Sequence, residues 1–398
     1  MTLIELFDQE HMENIVAFLR LKPEEVFFLG NEEKMQPFLE RYRALLAHKK
    51  IPTKLRPQNV NLDDMESIVR TLREILDTCE SCVIDITGGD ERLVMAAGAA
   101  LAQLSPQRRD KVTVQRFVMP DGEVVDYDGD GEVFSGKPEV LTAGELIALY
   151  GGTIYPTTMQ PAETYTPADV DFLWQILKTD PRGWNRLLST LRELEKPVDD
   201  ERNEFYIRRD VQKFQEKWAL VEPFLKKLHK HKVISYTAKG EELRYRYHDT
   251  LLQHCLQKEG NLLEVKTLLE ARALREKGKA YFDDCKMSVN IDWDGKVSEN
   301  PRAFSGTHNE IDVILTRGMK ALFVSCKNGD VGDGEMYKLR SVAEEFGSPY
   351  ARKMLIVAKL DNEEAMARRA ADMGIYLVKN AADLHKDGWE YIFKEAMK

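Results

Sequence analysis

The chain has little cysteine, no long apolar run and no surplus of positive charge. Its 398 residues hold five cysteines: Cys79, Cys82, Cys255, Cys285 and Cys326. An odd, scattered set of this kind excludes a disulfide framework and fits a reducing cytoplasm. Cys79 and Cys82 form a C-x-x-C, but no second pair and no histidine pair stands at zinc spacing. Cys82 leads into an apolar strand rather than opening a helix, so the two read as a helix-end and a buried strand cysteine. No stretch approaches the ~20 apolar residues of a membrane span, and the opening MTLIELFDQEHMEN is too acidic for a signal peptide. The net charge of −10 argues against a general polyanion coat, although a local basic groove would still admit nucleic acid. The G-x-G-x-x-G fingerprint is absent, which argues against a nicotinamide cofactor.

What is present is ordinary for a soluble protein: 43% hydrophobic and 31% charged residues. The length implies two or three domains of ~100–200 residues. Residues 1–120 alternate strand and helix. The strands are Glu24–Gly30, PTKLRPQNV, SCVIDITGG and KVTVQRFVM, with amphipathic helices between them. That order predicts a parallel sheet covered by helices on both faces. Ligands in such sheets sit beyond the carboxyl ends of the strands. Two loops fall there: Gly30, Asn31 and Glu32, then Thr87, Gly88, Gly89 and Asp90; Tyr150–Thr153 is a third candidate. A glycine turn opening a helix offers N–H groups and a positive helix end to phosphates.

The stretch DYDGDG places Asp126, Asp128, Asp130 and Gly131 like a calcium loop. Its twelfth position is Lys137, not a glutamate, so it reads as a solvated turn. Residues 165–255 read as mostly helical, including one long helix from Phe205 to Lys232. VISYTAKGEELRYRYH then reads as a hairpin, and helix plus hairpin is a winged-helix pattern. Leu243, Tyr245 and Tyr247 share one face of its second strand; Arg244 and Arg246 share the other. With Lys230 and Lys232 just upstream, Arg244 and Arg246 make the most basic local patch. It suits either a phosphate backbone or a solvated face.

The last unit contains the stretch with the most chemistry, HNEIDVILTRGMKALFVSCKN (residues 308–328). It reads as two strands around a turn at Arg317–Gly318. Glu310 and Asp312 lie two apart and project to one face; Ser325 and Lys327 do the same. Two carboxylates beside a lysine suit a hard divalent cation and a developing anion.

GNLLE (Gly260–Glu264), NEID and SCK together resemble the PD-(D/E)XK nuclease core, with Glu264 as the acid of its leading helix. Ser325 stands where the family places a carboxylate. Glu310, on the same strand as Asp312, is a candidate replacement. The resemblance implies Mg²⁺ or Mn²⁺ held by Glu310, Asp312, the Cys326 carbonyl and waters, with Glu264 bound directly or through water. It gives Lys327 the role of orienting the attacking water and stabilising charge on phosphorus. IDITGGDERLVMAAGAAL and ELFDQEHMENIVAFLRLKPEEVFFLGNEE resemble the CARF domain of CRISPR-associated effectors. EMYKLRSVAEEFGS and SCKNG extend the likeness to the CARF–PD-(D/E)XK nucleases of type III systems.

The implied fold class is α/β: a Rossmann-like CARF domain at 1–155, a helical, winged-helix-like middle at 156–254, and a restriction-endonuclease-like domain at 255–398. The implied protein is a cytoplasmic homodimer activated by cyclic tetra-adenylate, with no membrane partner. Its substrates would be single-stranded RNA or DNA, or supercoiled DNA that it nicks. Two alternatives stand beside this. Arg302 and His308 have roughly the spacing of a metal-independent ribonuclease pair, but PRAFSGTH reads as loop. A CARF-linked transcription regulator without nuclease activity is the other.

Overall fold

A computed structural model describes residues 1–119, 123–126, 139–155, 167–199, 204–208, 215–295, 308–329, 331–360 and 363–398. The DYDGDG turn beyond Asp126, Lys137 and Arg302 lie outside these residues.

The N-terminal sheet runs β1 (Thr2–Leu6), β2 (Glu25–Gly30), β3 (Lys54–Asn59), β4 (Cys82–Asp85), β5 (Val112–Val118) and β6 (Glu123–Asp126). Between the strands lie α1 (His11–Leu21), α2 (Glu32–His48), α3 (Met65–Thr78), α4 (Glu91–Ala102) and the short α5 (Pro106–Arg109). The strand order is β3-β2-β1-β4-β5-β6, parallel except for the last pair. The chain therefore winds outward from β1, then returns to β4 on its other side. The order reverses between β1 and β4, and a crevice opens there beyond the strand ends. The alternating pattern places the first strand at Glu24, but the central strand is β1, twenty-two residues earlier in the chain. Every residue of β1 is buried, Glu5 included. A charge inside a five-residue segment hides its strand character.

Next come α6 (Ala143–Leu149) and β7 (Thr153–Ile154). Although β7 precedes residue 155, it pairs with a strand of the C-terminal sheet. The middle region has α7 (Pro167–Thr179), α8 (Pro181–Leu194), β8 (Lys196–Asp199), β9 (Glu204–Arg208), α9 (Gln215–Lys230), β10 (Ile234–Lys239), β11 (Glu242–Tyr247) and α10 (Thr250–Gln257). The winged-helix pattern of helix and hairpin is there, enlarged to the four-stranded antiparallel order β10-β11-β9-β8. Of the long helix expected from Phe205, Gln215–Lys230 is helical, whereas Glu204–Arg208 is the strand β9. Phe205 and Ile207 pair across to Tyr245 and Leu243, and the Phe205 and Tyr245 rings stack at 5.6 Å. Cross-strand aromatic packing there overrides helix propensity.

The C-terminal unit has α11 (Asn261–Ala273), the small hairpin β12 (Arg275–Glu276) and β13 (Lys279–Ala280), then β14 (Asp284–Asp292), β15 (His308–Arg317) and β16 (Lys320–Lys327). After these come α12 (Asp333–Phe346), β17 (Arg352–Val357), α13 (Glu363–Asp372), β18 (Ile375–Val378) and α14 (Lys386–Ala396). Its mixed sheet has the order β18-β17-β16-β15-β14-β7. The two faces of this sheet pack into different cores. Val313, Leu315, Leu322 and Val324 join α11, α14 and the middle region. Ile314, Phe323 and Leu355 join α12 and the N-terminal helices α1 and α2. The N-terminal and C-terminal units thus share one apolar core.

Candidate active site and ligand crevice

β15 and β16 pair antiparallel with Val313 opposite Val324. Two apolar runs that alternate between two buried cores hold that register, because a one-residue slip would exchange the faces. Asp312 then falls opposite Ser325. One Asp312 oxygen, Oδ2, accepts the Cys326 N–H at 2.6 Å and the Ser325 hydroxyl at 3.2 Å. Lys327 Nζ lies 3.9 Å from the same oxygen and 3.0 Å from Glu335 on α12. Ser325 therefore acts as a donor that holds Asp312. The Cys326 thiol is turned into the core, with Thr267 Oγ1 at 3.6 Å from its sulfur. Only the backbone of Cys326 is available to the site.

Glu264 sits in the first turn of α11, where the helix dipole favours a carboxylate. The Ser288 hydroxyl donates to it at 3.4 Å. Burial, then the charges of Asp312 and Glu310, push its carboxyl up to about 8. Burial also raises Asp312, against the pull of Lys327, the Cys326 N–H and Ser325. Burial works to lower Lys327, but Asp312 and Glu335 outweigh it and raise the ammonium. The structure thus brings Glu264, Glu310, Asp312 and Lys327 into one electrostatic cluster. His254, at the end of α10, faces Glu310 and is lowered by burial and Lys258; its Nε2 is buried without a partner.

The donors suit a hard divalent cation by their chemistry: neighbouring carboxylates, of which burial raises Glu264 and Asp312, and a backbone carbonyl. A Cβ on Gly260 would stand 3.5 Å from Glu264 Oε1 and 3.8 Å from the Cys326 carbonyl. The glycine leaves that space open between the two oxygens. Among the described residues no three His, Cys, Asp or Glu side chains stand close enough to hold an ion alone. The protein's share of a coordination shell would be small, as is usual for Mg²⁺.

In the N-terminal sheet, a crevice of about 400 Å³ opens at the strand-order reversal. Asp8, Glu13, Thr87, Gly88, Gly89 and Arg116 line it. Gly89 has φ +100°, and a Cβ there would meet Leu6 Cβ at 2.6 Å, so the turn requires glycine. Its N–H donates to Asp8 at 3.1 Å. The Thr87 hydroxyl donates to Asp85 at 2.6 Å and accepts the Phe117 N–H at 2.8 Å. Asp90 caps α4 and pairs with Arg92 at 2.8 Å. Gly30, Asn31 and Glu32 lie one strand away, after β2, and do not line this crevice. Asn31 caps α2, and the Glu32 N–H donates to Asn59 at 3.1 Å. Tyr150 donates its hydroxyl to Glu10, between the two units.

Arg244 and Arg246 are exposed on β11, while Leu243, Tyr245 and Tyr247 are buried beneath them. Arg244 pairs with Glu242 at 2.5 Å. Lys230 and Lys232 are exposed at the end of α9 and in the turn after it. This patch belongs to the middle sheet, on elements separate from those that carry the carboxylates.

Sequence reasoning missed Glu335, His254, Asp8, Glu13 and Arg116. It also missed Asn185 of α8, whose side-chain amide donates to the backbone carbonyl of Asn328, just after Lys327, at 3.1 Å and accepts from the Asn328 side-chain N–H at 2.6 Å. An i, i+3 relation between Glu335 and Lys338, whose charge also reaches Asp312, was the available local signal for α12.

Residues 257–386 match the family model described as Card1-like, endonuclease domain. No curated protein matches the chain. Among solved structures, protein VC1899 from Vibrio cholerae has a TM-score of 0.72 at 15% identity, over 100% of this chain and 97% of its own. Can2 from Sulfobacillus thermosulfidooxidans, solved in complex with cyclic tetra-adenylate, has a TM-score of 0.65 at 14% identity, over 100% of this chain and 99% of its own. At these identities the likeness is one of fold. Residues 257–386 thus resemble a Card1-like endonuclease domain, and the whole chain shares its fold with protein VC1899 and Can2.

Proposed function

We propose that the protein is a metal-dependent endonuclease switched on by cyclic tetra-adenylate and used in type III CRISPR antiviral defence. Its substrates are single-stranded RNA or DNA, or supercoiled DNA that it nicks. The observation that carries the chemistry is Asp312, fixed by the Cys326 N–H and Ser325, with Lys327 on the adjacent strand and Glu264 and Glu310 crowded beside it. Glu310, Asp312, Glu264 and the Cys326 carbonyl would hold Mg²⁺ or Mn²⁺, which polarises a phosphate oxygen and makes a bound water more acidic. Asp312 is oriented before substrate arrives, so no reorganisation is needed at the moment of reaction. The Lys327 ammonium faces the place where charge grows on phosphorus. Arg244, Arg246, Lys230 and Lys232 supply a track for the substrate backbone on an otherwise acidic protein.

The crevice between β1 and β4 takes the activator, with Arg116, the N-terminal turn of α4 and the loop Thr87–Asp90 meeting its phosphates. Can2, whose fold this chain shares, was solved with cyclic tetra-adenylate. A cyclic molecule with two-fold symmetry fits a crevice doubled across a homodimer. Among the described residues no helix is long and apolar enough to cross a membrane, and all five cysteines are unpaired, as in the cytoplasm.

The test is a cleavage assay on single-stranded RNA, single-stranded DNA and supercoiled plasmid, with and without cyclic tetra-adenylate, in Mg²⁺ and Mn²⁺. The expected result is cleavage that needs both metal and activator. Equal cleavage with and without activator refutes the gating. Cleavage that persists in EDTA refutes the metal site and favours the Arg302/His308 chemistry. Sequence-specific duplex binding with no cleavage under any condition would favour the transcription regulator.

A further inference from the structure

Glu13 touches both ends of the problem. Its Oε2 lies 3.1 Å from where a Cβ on Gly88 would sit, in the wall of the sensor crevice. Its Oε1 accepts the Tyr350 hydroxyl at 2.8 Å, across 337 positions of sequence. Tyr350 belongs to the tight turn between α12 and β17, where Ser348 has φ +67° and its hydroxyl oxygen accepts the Tyr350 N–H at 3.1 Å. The other end of α12 carries Glu335, 3.0 Å from the Lys327 ammonium. The helix has 14 residues, so it is a rod ~21 Å long. Its last residue, Phe346, packs on Gly152 and edge-on against Trp293, 5.3 Å between ring centres. Lys327 is nearer to Glu335 than to Asp312, 3.0 Å against 3.9 Å.

We propose that the Glu13–Tyr350 hydrogen bond is an autoinhibitory latch. It holds α12 where Glu335 draws Lys327 away from Asp312, and an anionic ligand in the sensor crevice releases it. The proposal rests on the reading of the crevice as the activator site and of Lys327 as catalytic. The release has a physical cause. Arg116 draws a phosphate into a crevice whose other charged walls are Asp8, Glu13 and Glu91. The phosphate and the Glu13 carboxylate then repel, so the ligand binds better when Glu13 has turned out of the crevice. A ligand shifts an equilibrium only through such a difference in affinity. Turning out breaks the bond to Tyr350 and frees the turn. α12, packed in the core that both units share, then shifts as one body. Glu335 gives up Lys327, which moves onto Asp312.

The experiment uses the full chain with Tyr350→Phe, which removes one hydroxyl and keeps the ring. Cleavage is measured with and without cyclic tetra-adenylate beside the wild type, and the affinity for cyclic tetra-adenylate is measured by calorimetry. A single hydrogen bond to a charged group corresponds to an effect on the order of tenfold. The expected result is an activator-free rate about tenfold above wild type, an unchanged activated rate, and tighter activator binding by a similar factor, because coupling is reciprocal. An activator-free rate equal to wild type overturns the latch, as does a rate that falls. If the wild type itself shows no activator dependence, the gating reading falls and the latch with it. If the wild type is gated and Tyr350→Phe behaves identically, the latch alone falls.

Discussion

The centre of the N-terminal sheet contains two acids that a core should not hold. Glu5 and Asp85 are register partners on the parallel strands β1 and β4, and both are 0% exposed. Both Glu5 carboxylate oxygens and Asp85 Oδ2 have no hydrogen-bond partner. Burial, then the proximity of Asp85, raises Glu5 far above its ordinary range. Burial raises Asp85 to about 7, against the donors at Thr87 and Ile86. A folded pKa above the unfolded one means that the native state holds its proton more tightly. Stability from this group is therefore fully present below pH ~4 and is lost as pH rises through about 7. A rise of ~3 units corresponds to ~4 kcal/mol, at 1.36 kcal/mol per unit. That is a large share of an ordinary domain's stability. Asp85→Asn keeps the Oδ1 acceptor that Thr87 uses and gives Glu5 an N–H donor. Urea unfolding of wild type and Asp85→Asn should be followed from pH 4.5 to 8. The wild type should lose stability across that range through both acids and the variant through Glu5 alone, so the gap between the two profiles should shift in the variant's favour by up to ~4 kcal/mol by pH 8. Parallel pH profiles for the two proteins would refute the buried-acid argument.

Three further outcomes follow from the C-terminal cluster and the basic patch. Asp312→Ala and Lys327→Ala should each lower cleavage at least a hundredfold in single-turnover assays, while calorimetry still finds the activator bound. Glu310→Ala should be nearly as severe if it stands in for the carboxylate absent at Ser325; a near wild-type rate would show that it does not. Changing Arg244 and Arg246 together to Ala should weaken single-strand binding and flatten its salt dependence by about 1.4 in the log–log slope if both meet phosphates; an unchanged slope would leave the patch a solvated face.

The parts legible in the sequence are those set by neighbours along the chain. The strands around Asp312 and Lys327 announce themselves because apolar runs end in polar residues at fixed spacing, and a hairpin joins the two strands by a turn. Alternate burial of Leu243, Tyr245 and Tyr247 against Arg244 and Arg246 follows from the same period of two. Other features depend on a partner far away in sequence, and no local pattern carries them. β9 looks helical until Tyr245 and Leu243 are known to lie beside Phe205 and Ile207. β1 looks like a polar opening until two neighbouring strands bury Glu5.

Ser325 shows the limit most sharply. Against the PD-(D/E)XK pattern it reads as a missing ligand, a purely negative statement. In the structure its hydroxyl and the Cys326 N–H both donate to one oxygen of Asp312. A carboxylate at 325 would instead set a second negative charge against an acid that burial already raises, beside Glu264 and Glu310. With three acids crowded there, a donor at 325 lowers the energy of the ionised Asp312, whereas a fourth acid would raise it. The departure from the pattern is thus consistent with the position of Glu310: once one acid moves to the neighbouring strand, a hydroxyl at 325 suits the cluster better than a carboxylate.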